Sequence, residues 1–182
     1  MTARFVRLFN VIGYTAMQDE SMLRIYDTIL GHYLQSNLPE AMHDMSTGIV
    51  EATIGIYNTI LRDLRPTPAK CHYTYNLRDL SKIFQGMLMS SGKKISSREA
   101  LLRLCVHECQ RVFADRLSNN EDHEWVIGLL NGKITDLGSS WSEIAPGDGR
   151  IVFADFMIPG ADPKIYEEIS DKSQLQPIVE EY

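Results

Sequence analysis

The chain has 182 residues, 44% of them apolar, and a formal net charge of −6. That length sets one domain, with a tail, as the starting expectation, and the acidic balance argues against broad binding to nucleic acid or anionic membranes. No apolar run approaches the roughly 20 residues that a spanning helix needs, and three cysteines, an odd count, argue against a disulfide framework and fit a reducing cytosol.

Residues 5–17 (F-V-R-L-F-N-V-I-G-Y-T-A-M) are rich in β-branched and aromatic types and read as one β-strand. A lone strand is not stable in water. The only other candidate, Ile151 to Phe156, is short. The segment therefore reads as the last strand of a sheet that is mostly missing. The opening M-T-A-R-F-V-R-L-F-N has no clear signal-peptide layout.

The middle of the chain reads as helices. Asp19 opens one to about Gln35, with Met22, Tyr26, Ile29 or Leu30, and Tyr33 on its buried face. Ser36 or Asn37, followed by Pro39, begins another, with an interruption near Thr47-Gly48. It carries Ile49, Thr53, Ile56, Tyr57, Ile60 and Leu64, and Pro66 and Pro68 stop it. The stretch Thr67 to Gly86 is then a proline-bounded entry, a short extended piece and a capped helix running to about Ser90. Asn76 is a good N-cap, and Asp79 stands three residues on, where an acid suits a helix N-terminus. Leu77, Leu80, Phe84 and Met87 or Leu88 form its apolar stripe. Arg78 falls in the first turn, the place least suited to a cation. It reads either as an ordinary exposed arginine or as one reaching towards an anion.

Ser96 to Glu99 has the form of a capping box, opening a helix to about Leu117. A shorter helix runs from about Asn120 to Asn131, closed by Gly132. Residues 132–150, with glycines and Pro146 among polar types, read as a linker, and the last segment as short helices from Asp162-Pro163 and Ser173. The outline is mainly α: an antiparallel helical bundle with one N-terminal strand and an irregular tail.

No nucleotide-binding loop of the form G, four residues, G-K and then Ser or Thr is present. The nearest imitation, Gly86 to Lys94, has five intervening residues and a lysine where the hydroxyl is required, and it comes after a helix rather than a strand. Cys105, His107 and Cys109 match no usual zinc spacing, and His107 points away from the two thiols on a helix. They read as two buried thiols, with no metal site. Cys71 and His72, adjacent in an extended piece, face opposite sides and cannot pair directly. Glu108, Arg111, Asp115 and Arg116 form a charge ladder that reads as a solvated helix face or a contact with a neighbouring domain.

Several stretches in order resemble dynein heavy chains, especially the axonemal type. Thr67 to Gly86 is similar to the pattern T-P-x-K-x-H-Y-x-F/Y-N-x-R-D-L-S-x-x-x-Q-G of an AAA+ lid. Thr2 to Phe9 is similar to T-P-R-F-x-R-H-F, with Ala3 for the usual Pro and Leu8 for the usual His. Asp19 to Leu34 looks like the first lid helix, Leu104 to Leu117 is similar to L-W-x-H-E-x-x-R-V-F-x-D-R-L, and Val152 to Tyr182 resembles the link into the next module. The resemblance implies the end of the third AAA+ module: the last strand of its large subdomain over 1–18, a helical lid over 19–131 and a linker over 132–182. The rest of the sheet and the phosphate loop would then lie before residue 1.

The resemblance implies that Arg78 takes the sensor II position, contacting nucleotide phosphate and coupling lid rotation to nucleotide state. It implies an arginine-finger role, serving the preceding module, for Arg4 or Arg7, supplying electrostatic stabilisation rather than bond-making. It also implies that the piece is not catalytic alone and binds no cofactor itself. ATP or ADP and Mg²⁺ belong to the intact motor, and so do microtubules and the intermediate and light chains. By the same resemblance, the direct partners would be neighbouring modules of the same heavy chain, and the location would be the cytoplasm, cytoskeleton and ciliary or flagellar axoneme. A self-contained helical interaction module is the alternative. A cysteine-dependent enzyme using Cys71 is a third reading.

Overall fold

A computed structural model describes residues 2–147, 149–158, 160–169, 173 and 175–181. Helix α1 (Ala3–Val6) precedes an exposed, irregular stretch, and α2 covers Asp19–Asn37. Met22, Tyr26, Leu30 and Leu34 recur at i,i+4 along α2 and are its buried residues; Leu30 is inside while Ile29 is exposed. The acids Asp19 and Glu20 in its first turn complement the helix dipole.

The chain turns through Leu38 to Asp44, with a 3₁₀ turn at Glu40–Met42, before α3 (Met45–Asp63). The break thus falls earlier than Thr47-Gly48. Leu38, immediately before Pro39, is forced into an extended conformation, φ −118° and ψ 158°. Thr47 and Gly48 stay helical. Ser46 and Thr47 donate hydroxyl hydrogen bonds of 2.7 and 3.1 Å to Asp27 Oδ1, pinning the first turn of α3 to α2. At Gly48 a Cβ would stand 3.1 Å from Leu137 Cδ2, so the glycine permits close packing there.

The core is completed by α4 (Leu77–Leu88), α5 (Arg98–Cys109) and α6 (Asn120–Asp136), with a π-helical turn at Gln110–Ala114 continuing α5. Leu30, Leu34, Ile49, Ile60, Leu80, Ile83, Met87 and Phe113 are fully buried within one cluster. Each such side chain contributes about 1.5–3 kcal/mol by leaving water. The α5 cap is Ser97, whose hydroxyl accepts from Ala100 N–H at 3.2 Å, one position after the expected Ser96.

Helix α6 does not close at Gly132. A glycine inside a helix costs only about 1 kcal/mol, and burial of Ile134 outweighs it. The helix stops at Gly138, φ +81°, where Gly138 N–H donates to Thr135 O (2.9 Å) and Ser139 N–H to Ile134 O (3.2 Å). This is the doubly bonded C-cap that needs a left-handed residue. The expected lid–linker boundary at 131 therefore falls inside a helix.

The strand expected over residues 5–17 is not formed. Ala3–Val6 is a short helix, residues 10–18 make no ladder, and none of residues 2–18 is buried. Strand propensity alone cannot satisfy backbone groups without a neighbouring strand. Phe5, Leu8, Phe9, Val11, Ile12, Tyr14 and Met17 are left exposed.

After α7 (Trp141–Ile144), the described residues 149–158 and 160–169 form a strap across the bundle. It contains β1 (Phe153–Ala154) paired antiparallel with β2 (Glu167–Glu168), so the second strand candidate is confirmed over two residues. The helix expected from Asp162-Pro163 is a bend instead. Helix α8 spans Leu175–Glu181, two residues beyond Ser173. The fold is mainly helical, with one small antiparallel sheet among the described residues. Among those residues, no helix is long and apolar enough to cross a membrane.

Candidate functional site

Arg78 is the second residue of α4 and is held there by a reciprocal cap. Asn76 Oδ1 accepts from Arg78 N–H at 2.8 Å, and Asn76 N–H donates to Asp79 Oδ2 at 3.1 Å. The Arg78 side chain is exposed beside an open depression lined by Tyr57, Tyr75, Asn76 and Leu77. Among the described residues its guanidinium makes no hydrogen bond or ion pair.

The acid nearest in sequence is already engaged. Asp79 is buried, and Arg116 holds it through Nη2 to Oδ1 at 2.9 Å and Nη1 to Oδ2 at 3.3 Å, with Lys82 at 3.6 Å. Burial alone would raise this carboxyl, but Arg116, the Asn76 N–H and Lys82 together hold it below the ordinary carboxylate range. Arg116 also donates to Thr74 O and Val112 O, both at 3.1 Å, and lies 4.7 Å over the Tyr75 ring. Burial pushes the Tyr75 phenol up to about 12, so it stays neutral. The result is a first turn whose acid is neutralised from within and whose cation faces solvent, an arrangement suited to an approaching anion.

Arg4 lies in α1 and Arg7 is its C-cap; both are exposed. No hydrogen bond or ion pair among the described residues joins either to Arg78, so the three expected arginines do not form one site within this chain.

Cys105 and Cys109 are buried, as their helix spacing implied, and Cys71 is exposed. His72 Nε2 lies 3.0 Å from Arg116 O.

The charge ladder is not a solvated face. Glu108 is fully buried, and Arg111 Nε and Nη2 both donate to its Oε2, at 2.9 and 2.6 Å. Arg116 turns to Asp79 instead of its ladder neighbours. Glu108 also meets Tyr166 from the strap, with the phenol oxygen 2.6 Å from Oε1. A Cβ at Gly86 would fall 2.1 Å from the Glu108 carboxyl carbon, so the glycine on α4 makes its place. The spacing of Glu108 from Leu104, Leu101 and Cys105 already set it on the apolar side of α5, the one signal that could have marked it as buried.

Residues 49–135 match the AAA+ lid domain family. Over the whole chain the sequence is 43% identical to dynein axonemal heavy chain 1 of Rattus norvegicus and 42% identical to that of Homo sapiens. Over 99% of the chain it is 35% identical to dynein axonemal heavy chain 2 of Mus musculus. The chain spans about 4% of the length of each of these relatives. These similarities do not favour a self-contained helical interaction module.

Proposed function

The chain belongs to the dynein heavy-chain family, with an AAA+ lid domain over residues 49–135, and from this we propose that it serves as a nucleotide-sensing lid in an ATP-driven motor that moves along microtubules in the axoneme. It is not catalytic alone in this reading. The observation that carries it is the state of Arg78: exposed on a capped helix N-terminus, with its own first-turn acid locked to Arg116. Such a cation can meet a nucleotide phosphate, and rotation of the lid would make or break that contact.

ATP or ADP and Mg²⁺ would be held by parts of the heavy chain beyond these 182 residues, with the lid closing the third module's site. Arg4 and Arg7, on the exposed arm before α2, are the candidates for reaching the preceding module's nucleotide as an arginine finger. The direct partners would be neighbouring AAA+ modules of the same chain. Intermediate and light chains would be engaged through the whole motor.

Two measurements test this. Calorimetry of the 182-residue chain with ATP should show no tight binding, and micromolar affinity would overturn the non-catalytic reading. In the intact heavy chain, Arg78→Ala should weaken nucleotide binding at this module by about tenfold or more, the scale of one charge-assisted hydrogen bond. Unchanged affinity and unchanged nucleotide-dependent stepping would remove Arg78 from the role.

A further inference from the structure

The strap crosses α5 through a chain of three short polar contacts. His107 Nδ1 lies 2.9 Å from Ile151 O, His107 Nε2 lies 3.0 Å from Tyr166 Oη, and Tyr166 Oη lies 2.6 Å from Glu108 Oε1. Each contact needs one proton between its two heavy atoms. A backbone carbonyl only accepts. An imidazole that is neutral brings one N–H, and the phenol brings one O–H. Two donors cannot serve three contacts. If His107 donates to Ile151 O, and Tyr166 donates to Glu108, the lone pair of Nε2 faces the phenol oxygen. If Tyr166 turns its proton to Nε2, two oxygens face each other at 2.6 Å. Contacts this short leave no room for an intervening water.

We propose that the strap is latched onto α5 by one extra proton held in the Glu108–Tyr166–His107 chain, so that docking takes up a proton and alkaline pH releases the strap. With that proton in the chain every contact is satisfied, because the donors can run from Glu108 through Tyr166 to Nε2 or from Nε2–H through Tyr166 to the Glu108 carboxylate, with Nδ1–H donating to Ile151 O in both. Burial lowers the proton affinity of His107 and raises the Tyr166 phenol, which therefore keeps its own proton.

The surroundings fit such a latch. Glu108 is fully buried, and Gly86 of α4 closes against its carboxyl. Arg111, in the π-helical turn after α5, meets Glu108 through Oε2 and also donates to Lys82 O at 3.5 Å, leaving Oε1 to the strap. Lys82 of α4 and Asp155 of the strap line the space on the Tyr166 side. On the His107 side stand Asp115 beyond the π turn, His123 and Glu124 of α6, and Arg150 of the strap. The neighbouring strap acids already have partners, Glu168 with Arg103 at 2.6 Å and Glu167 with Lys94. The strap lies C-terminal to the lid helices, so its docking sets how firmly the bundle grips the C-terminal part of the chain.

The test is hydrogen exchange of the 182-residue chain between pH 6 and 9, read at the Ile169 amide, which donates to Val152 O at 2.9 Å within the strap. After correction for intrinsic exchange, protection should fall with rising pH by up to about tenfold per pH unit, the limit for one linked proton. Glu108→Gln is the informative variant, because its amide N–H can donate to Tyr166 with no extra proton and its carbonyl can accept from Arg111. It should keep the strap protected and flatten the pH dependence. Tyr166→Phe, which removes the middle oxygen, should also flatten it, with helix content by circular dichroism confirming the fold. A pH-independent wild type overturns the proposal. So does a folded Glu108→Gln whose strap exchanges freely at every pH.

Discussion

Arg116 Nη2 stands 2.9 Å from Asp79 Oδ1, and this pair joins the first turn of α4 to the turn just beyond the π-helical segment that follows α5. The contact is more than a surface ion pair, since Asp79 is only 4% exposed and its second oxygen also caps the helix through Asn76 N–H. Arg116 thus supports, from the inner side of the helix, the turn that presents Arg78.

Arg116→Ala leaves a buried carboxylate with a weakened set of partners. The loss should be about 2–4 kcal/mol, below the full range for a sealed ion pair because Arg116 is partly exposed. Urea denaturation followed by circular dichroism measures it. A loss under about 0.5 kcal/mol, the level of an ordinary surface substitution, would show that the pair is not structurally engaged.

The same pair sets an acid sensitivity. Burial acts to raise the Asp79 carboxyl, but Arg116 and the Asn76 N–H overcome it and hold the group below its unfolded value. A depressed carboxyl contributes stability above the unfolded pKa of about 4 and loses it as pH falls further. The wild-type chain should therefore lose more stability between pH 7 and pH 3 than Asp79→Asn does. Parallel acid profiles for the two proteins would contradict this assignment.

Much of this frame was legible beforehand, and the reason is locality. The α4 cap rests on Asn76 and Asp79, three residues apart, and the helix periodicities of α2 and α3 are equally local. The Glu108 cluster was not legible, because Tyr166 lies 58 residues away and Gly86 belongs to a different helix. A charged residue at an apolar helix position looks like a solvated ladder until its partners are known. The misread strand over 5–17 has the opposite cause: its local propensity is real, but pairing is a tertiary property. For the candidate site, the awkward place of Arg78 in the first turn of its helix was visible in the sequence. Its release from Asp79 by Arg116 was not, since that depends on a contact across 37 residues.

Two glycine substitutions separate propensity from packing. Gly86→Ala and Gly128→Ala each remove a flexible residue from a helix, worth about 0.5–1 kcal/mol in favour of alanine. At Gly128 nothing lies within 4 Å of the new methyl, so α6 should gain that amount. At Gly86 the methyl would meet the Glu108 carboxyl at 2.1 Å, and overpacking of about 1–3 kcal/mol should reverse the sign. Thermal melts of the two variants should therefore shift in opposite directions, and a stabilised Gly86→Ala would mean that Glu108 can move aside.

The uncovered row on residues 5–17 has a practical consequence for handling the protein. Phe5, Leu8, Phe9, Val11, Ile12, Tyr14 and Met17 present a greasy, unpaired, strand-prone ribbon to water. In dilute buffer that ribbon is the adhesive point of the molecule: concentrated samples will cling to one another and to surfaces through it while the helical body stays intact, so trimming or masking it is the first step towards a well-behaved preparation.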